Sequence, residues 1–175
     1  MSDTLTTTLR ADLQQLLKRQ YPGITTSKIQ EISKLLSAYP TGLRDRSSAV
    51  HLSASAFVPV GNTVLFIRHP YLKTVLLPAG HVEPNELPLQ TAIREFHEET
   101  GYQVNPQSQQ LIDANVIEIP ANPLRNEGAH RHIDLRFLFR RKSQAPSDAE
   151  LPVFQLSEKD APSEFQSYYQ LIPMS

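Results

Sequence analysis

At 175 residues and 19.7 kDa the chain can build one good hydrophobic core, and it is too short for two enzyme-sized domains. Hydrophobic residues at 39% and charged residues at 20% give a globular balance. With 17 Lys+Arg against 18 Asp+Glu the formal charge is −1, without the basic excess of a nucleic-acid-binding protein, and the absence of cysteine excludes disulfides, thiolate zinc sites and a cysteine nucleophile.

The opening MSDTLTTTLRADLQQLL carries no charged-then-apolar leader pattern, and no apolar run approaches the roughly 18 residues of a membrane span. A cytoplasmic protein with no membrane partner is therefore expected. Leu5, Leu9, Leu13, Leu16 and Leu17 recur at helical spacing as far as Tyr21-Pro22-Gly23. Ile29, Ile32, Leu35, Leu36 and Tyr39 repeat the pattern, with Ser27 and Gln30 placed as a capping box, until Pro40-Thr41-Gly42 breaks it. Residues 1–45 thus read as a helical hairpin appended to a main domain over 46–175. It packs on that domain, or else forms a dimerisation surface (a homodimer) or a lid.

From His51 the period changes to two. Leu52, Ala54, Ala56, Val58 and Val60 alternate with Ser53, Ser55 and Phe57, and Gly61-Asn62 fits a hairpin turn before a return strand over 63–68. A short strand follows at 74–77, then a helix over 88–100 with Gly101 as its left-handed cap. Strands are expected near 112–119, 132–140 and 153–156. A closing helix over 163–171 would bury Phe165, Tyr168 and Tyr169. Strands around a central helix, with further helices at both ends, indicate a mixed α/β domain.

The segment from Gly80 to Tyr102 carries the chemistry. On a helix turning about 100° per residue, Glu95, Glu98 and Glu99 fall at i, i+3 and i+4 and form one carboxylate patch. Leu89, Ile93 and Phe96 form the buried stripe. Like charges at this spacing destabilise a helix unless a cation sits among them. The segment holds five Glu, one Arg and no Lys, a local charge of −4, and oxygen donors alone suit Mg²⁺ or Mn²⁺ rather than zinc. A solvated acidic helix face would not explain why two glycines and an arginine stand at fixed distances from these glutamates.

Gly80, Glu86, Arg94, Glu95, Glu98, Glu99 and Gly101 fill all seven fixed positions of the pattern G-x5-E-x7-R-E-U-x-E-E-x-G-U, where U is apolar. At average residue usage a chance match is on the order of one in 10⁸ per window. The chain resembles the Nudix hydrolases, with Phe96 and Tyr102 as aromatic fillers of the apolar positions. The resemblance implies an α/β/α sandwich with a mixed sheet and a Mg²⁺-dependent (or Mn²⁺-dependent) hydrolase. Such an enzyme cleaves the pyrophosphate bond of a nucleoside diphosphate linked to another group, a nucleotide sugar such as ADP-ribose or a nucleoside triphosphate. It implies Glu98 and Glu99 as metal ligands and Glu95 as a further ligand or the base that takes a proton from water. Arg94 would orient Glu95, Glu86 would buttress the loop, Gly80 would permit a sharp turn near the metal, with the Ala79 carbonyl as a further ligand, and Gly101 would end the helix.

Outside that pattern, alternation puts Ile133, Leu135 and Phe137 on one face of a strand and His132, Asp134 and Arg136 on the other. That second face either lines the substrate cleft, with Arg136 meeting phosphate and Asp134 or Glu127 completing the metal site, or is a solvated strand face. His130 and His132 resemble a zinc pair, but with no third nitrogen ligand nearby in sequence they read as a hydrogen-bonding surface. Tyr71 and Phe57 are aromatic candidates for base stacking, with core packing as the competing role. The expected partner is a small-molecule nucleotide, not a nucleic acid. The alternative is a non-catalytic Nudix-fold nucleotide sensor or regulator, although such modules usually lose the glutamates that are all present here. The isoprenoid diphosphate isomerases of the same fold use a catalytic cysteine, which this chain lacks.

Overall fold

The computed structural model describes residues 4–174. Two helices open the chain. Helix α1 (Thr4–Arg19) buries Leu5, Leu9, Leu13 and Leu16, and α2 (Thr26–Ala38) buries Ile29, Ile32, Leu35 and Leu36. The cap of α2 is Thr25, not Ser27: its extended backbone leaves the hydroxyl free to accept from the Lys28 N–H at 3.2 Å. The apolar stripes join the same buried cluster as the sheet, and Lys28 Nζ bonds Asp113 Oδ1 at 3.0 Å and Asn115 Oδ1 at 2.9 Å. The hairpin packs against an edge strand whose open hydrogen-bonding side would otherwise invite pairing.

The strands are β1 (Val50–Phe57), β2 (Pro59–Val60), β3 (Thr63–Arg68), β4 (Val75–Leu76), β5 (Ala79–His81), β6 (Gln110–Ile119), β7 (His130–Leu138) and β8 (Val153–Leu156). One sheet runs β5-β1-β7-β6, with β1 antiparallel to β5 and parallel to β7. The second places β3 between β8 and the short β2 and β4. Gly61, at φ +61°, makes the β2–β3 turn expected of Gly-Asn. Helix α3 (Pro88–Thr100) and a short closing helix α4 (Ser163–Gln166), continued by a tight turn over Ser167–Leu171, complete the chain.

Period two in β1 sorts its residues correctly between two faces, but neither face is wet: all eight positions are buried. Leu52, Ala54 and Ala56 pack with Ala92 and Phe96 of α3. Phe57 points the other way, into a second cluster with Phe165, Tyr168 and Tyr169 of the closing segment. The mixed sheet therefore lies between two helical layers, as an α/β/α sandwich requires. No helix among the described residues is long and apolar enough to cross a membrane.

Candidate active site

Helix α3 is entered through Pro88 at its first turn, where a missing N–H costs nothing, and the Gln90 side chain accepts from the Leu87 N–H at 2.8 Å. Its core side buries Ala92, Phe96 and Thr100. The opposite side gathers the charged residues around one arginine. Arg94 donates Nε to Glu86 Oε1 at 2.6 Å and Nη2 to Glu86 Oε2 at 3.0 Å, a two-point pairing that fixes the guanidinium plane. Its Nη1 reaches Glu95 Oε1 at 2.7 Å and Glu98 Oε2 at 3.2 Å, and Nη2 also donates to the His81 carbonyl at 3.3 Å. Glu86 accepts further from the Thr91 hydroxyl and the Glu83 N–H. With Arg94 first among these donors, its carboxyl is pulled down to about 2. Glu86 and Arg94 thus form a brace, and the brace holds Glu95.

Glu99 behaves oppositely. Its Oε2 accepts the Ala79 N–H at 3.1 Å, but burial, aided by the charges of Glu95, Glu150 and Glu98, pushes its pKa up to about 8. Burial also raises Glu95, against the pull of Arg94. One guanidinium already committed to Glu86 therefore also serves Glu95 and Glu98, and Glu99 beside them is held by burial in an environment hostile to its charge. A hard divalent cation fits that oxygen-only donor set. Glu150 was not legible as part of the patch: it comes from a loop whose backbone bonds the end of α3, Glu150 N–H to the Glu98 carbonyl at 3.1 Å and Leu151 N–H to that of Glu99 at 3.4 Å.

The raised Glu99 pKa has a measurable sign. Its folded value lies above the ordinary carboxylate value, so the metal-free fold binds a proton that the unfolded chain releases. This contribution to stability is complete below about pH 4.5 and is lost as pH rises through about 8. In metal-free protein the melting temperature of Glu99→Gln relative to the parent should therefore rise from pH 5 to pH 8, and the parent's affinity for a divalent ion should rise over the same range. A difference between variant and parent that does not change with pH would remove Glu99 as its source.

Gly80 has a different reason from the expected sharp turn. It lies in ordinary strand conformation, but a Cβ there would overlap the Glu95 carboxylate, so the glycine makes room for that side chain. Gly101 caps the helix at φ +76°, as expected, and its N–H bonds the His97 carbonyl at 2.8 Å.

Asp134 and Arg136 lie elsewhere. The register aligns Ala54, Gly80 and Leu135 on the α3 side of the sheet and Ser53, His81 and Asp134 on the other. The sheet itself separates Asp134 from Glu95. Asp134 is 1% exposed, accepting from Ser53 Oγ at 2.8 Å and Ser55 Oγ at 2.7 Å, and Arg136 lies 3.5 Å away. Arg136 donates to Ser55 Oγ at 3.1 Å and Tyr168 Oη at 2.7 Å and stacks over Phe165. The expected choice between open cleft and solvated face fits neither residue well, because the closing helix seals that face. Arg136 keeps one edge on a cavity of about 400 Å³ lined also by Lys28, Asp113 and Tyr168. Glu127 stands in the loop before β7, its charge acting on His51 rather than among the glutamates. Phe57 is fully buried, and Tyr71, 38% exposed, bonds the Ala121 carbonyl.

His130 and His132, expected to have no third nitrogen nearby, meet two more. His51 pairs with His132 across β1 and β7, and His81 on β5 reaches the same point, so four imidazoles meet. His132 Nε2 lies 3.0 Å from the Nε2 of each of His51, His81 and His130. Burial drives His132 to about 2 and His81 to about 4 and lowers His51, so these three are neutral at pH 7. The missing nitrogens were 51 and 81, remote in sequence and adjacent only through strand pairing.

A NUDIX domain profile matches residues 49–170. The chain is 44% identical over 162 residues to a probable DHNTP pyrophosphohydrolase from Lactococcus lactis subsp. cremoris, covering 92% of this chain and 97% of that protein. Among solved structures it resembles a NUDIX-family hydrolase from Clostridium perfringens, at 21% identity, 70% of this chain, 98% of that chain and a TM-score of 0.51. It also resembles a MutT NUDIX hydrolase from Burkholderia pseudomallei, at 19% identity, 65% and 87% coverage and a TM-score of 0.50. The two structures support the fold.

Proposed function

The chain belongs to the Nudix family, and we propose that it is a Mg²⁺-dependent pyrophosphohydrolase of a nucleotide-like triphosphate of the DHNTP type, releasing pyrophosphate and the monophosphate. The observation that carries the substrate reading is the 44% identity to the probable DHNTP enzyme along 97% of its length. The braced glutamates support the chemistry. Glu98 and Glu99, with Glu95 beside them, would hold the ion, which when bound neutralises the phosphate chain and acidifies a water. Arg94 engages Glu95 Oε1, leaving Oε2 to take the proton of the attacking water, and burial has already raised that carboxyl toward the range useful for a base. Arg94 and Glu86 hold that geometry before substrate arrives, so little reorganisation opposes the reaction.

The test is a substrate panel with Mg²⁺ and Mn²⁺ containing DHNTP, GTP, dATP and ADP-ribose, with every product identified. The expected result is fastest turnover of DHNTP, giving pyrophosphate. Faster cleavage of ADP-ribose would replace the triphosphate reading by the nucleotide-sugar one. Binding of every compound without hydrolysis would favour a sensor.

A further inference from the structure

We propose that His51, His81, His130 and His132 form a binding site for one divalent transition-metal ion of the zinc class, separate from the glutamate site and on the opposite face of the sheet. The four ligand nitrogens lie within 4.8 Å of one another. Around His132 the Nε2–Nε2 separations are 3.0 Å, close to the edge of about 3.3 Å in a tetrahedron with metal–nitrogen bonds near 2.05 Å.

Proton placement shows why hydrogen bonding cannot account for the cluster. His51 Nδ1 lies 3.1 Å from the Ser48 carbonyl and His130 Nδ1 lies 2.8 Å from the Gly128 carbonyl. Carbonyls only accept, so both Nδ1 atoms carry the proton, and in the neutral rings both Nε2 atoms present lone pairs inward. His132 Nε2 can carry at most one proton and can donate it to one neighbour. In the neutral cluster a proton can therefore bridge only one of the three 3.0 Å contacts, and the other two have no hydrogen between their nitrogens. One metal ion placed among the four nitrogens would accept a lone pair from each ring. The Nδ1–carbonyl bonds also orient the rings, as partners of metal-bound histidines commonly do.

An all-imidazole donor set selects a borderline ion such as Zn²⁺ over Mg²⁺, which requires oxygen. Four protein ligands leave no open coordination position, so the role is structural. The element it would secure is β5. That strand has three residues, lies at the sheet edge beside β1, and carries Gly80 against Glu95 and the Ala79 N–H against Glu99. Successive strand residues point to opposite faces, so an ion on His81 would tie β5 to β1 and β7 from the side away from α3.

The test uses the full chain, stripped with a chelator and titrated calorimetrically with Zn²⁺, with Co²⁺ as an absorbing substitute. The expected result is one Zn²⁺ per chain, a raised melting temperature, and a visible Co²⁺ spectrum of tetrahedral nitrogen coordination. Loss of a mere orienting partner commonly weakens metal binding about 10- to 100-fold, so losing a ligand in His130→Asn should cost at least about tenfold. His51→Gln provides a second, independent ligand removal, scored on whichever variant keeps the native circular dichroism. Glu98→Gln plus Glu99→Gln should leave Zn²⁺ affinity within twofold while weakening Mg²⁺ binding, roughly the resolution at which separate sites act independently. Absence of stoichiometric Zn²⁺ or Co²⁺ binding would overturn the proposal, as would binding that survives the histidine substitutions or vanishes with the glutamate ones.

Discussion

Glu98→Gln is expected to lower kcat by about two to three orders of magnitude while leaving stability almost unchanged. Charge stabilisation by a bound ion is worth several kcal/mol in a phosphoryl-type transition state, and each ~1.4 kcal/mol is a factor of ten. The amide keeps the size of the side chain and removes the charge that would hold the ion. The folding side of the ledger is small because the Glu98 side chain is 41% exposed and its bond to Arg94 is a surface i,i+4 pair, worth about 0.3–0.5 kcal/mol. Relief of repulsion from Glu95 offsets part of that loss. Steady-state kinetics at saturating Mg²⁺ and a thermal melt on the same preparation check both halves. A folded variant turning over at near the parental rate would take Glu98 out of the ion site.

Gly101→Val is expected to destabilise the fold by roughly 3–5 kcal/mol, the sum of strain at a left-handed position and a clash with backbone. At φ +76° a β-branched residue is strained whatever the space around it. Here space is also lacking, because a Cβ would run into the Ser147 carbonyl. Ser147 is held there by its own N–H on the Gly101 carbonyl at 2.9 Å and its hydroxyl on the same atom at 3.2 Å. Gly101→Asn separates the two causes, since asparagine tolerates the left-handed region. Urea unfolding should show Asn recovering only part of the loss. Full recovery would mean that the loop over residues 147–151 yields easily and that backbone conformation alone fixes the glycine.

What was legible in the sequence was local. The ends of α3, its cap at Gly101 and the Gly61-Asn62 turn each depend on neighbours within a few positions, and they stand where the spacing put them. The carboxylate patch was legible for the same reason, since helical geometry alone brings 95, 98 and 99 together. Faces could be sorted in β1 and β7, but not what covers them. The fate of Asp134 and Arg136 depends on Tyr168 and Phe165, more than thirty and nearly thirty positions downstream respectively, folding back over the sheet. The four histidines were split in the same way among three strands, and the registers of β1 with β7 and of β1 with β5 unite them. Local signals also misled: Gly80 makes room for Glu95 where a sharp turn was expected, and Thr25 caps α2 where Ser27 was expected, because the chain is still extended at Thr25.

The parallel pairing of β1 with β7 carries a consequence for how the molecule comes into being. Ser53 and Asp134, bonded across it, are separated by 81 positions, and a parallel pair cannot be closed by a tight turn. The intervening chain must be gathered before any of those contacts repays the lost freedom, which makes such topologies slow to form. During synthesis, α1, α2, β1 and the first hairpin leave the ribosome well before β7 does. Until then the central strand, buried along its whole length in the finished protein, has one long edge without its partner. Between the emergence of residues 57 and 138 that edge stays open, and unpaired strand edges of this kind are what favours aggregation during folding.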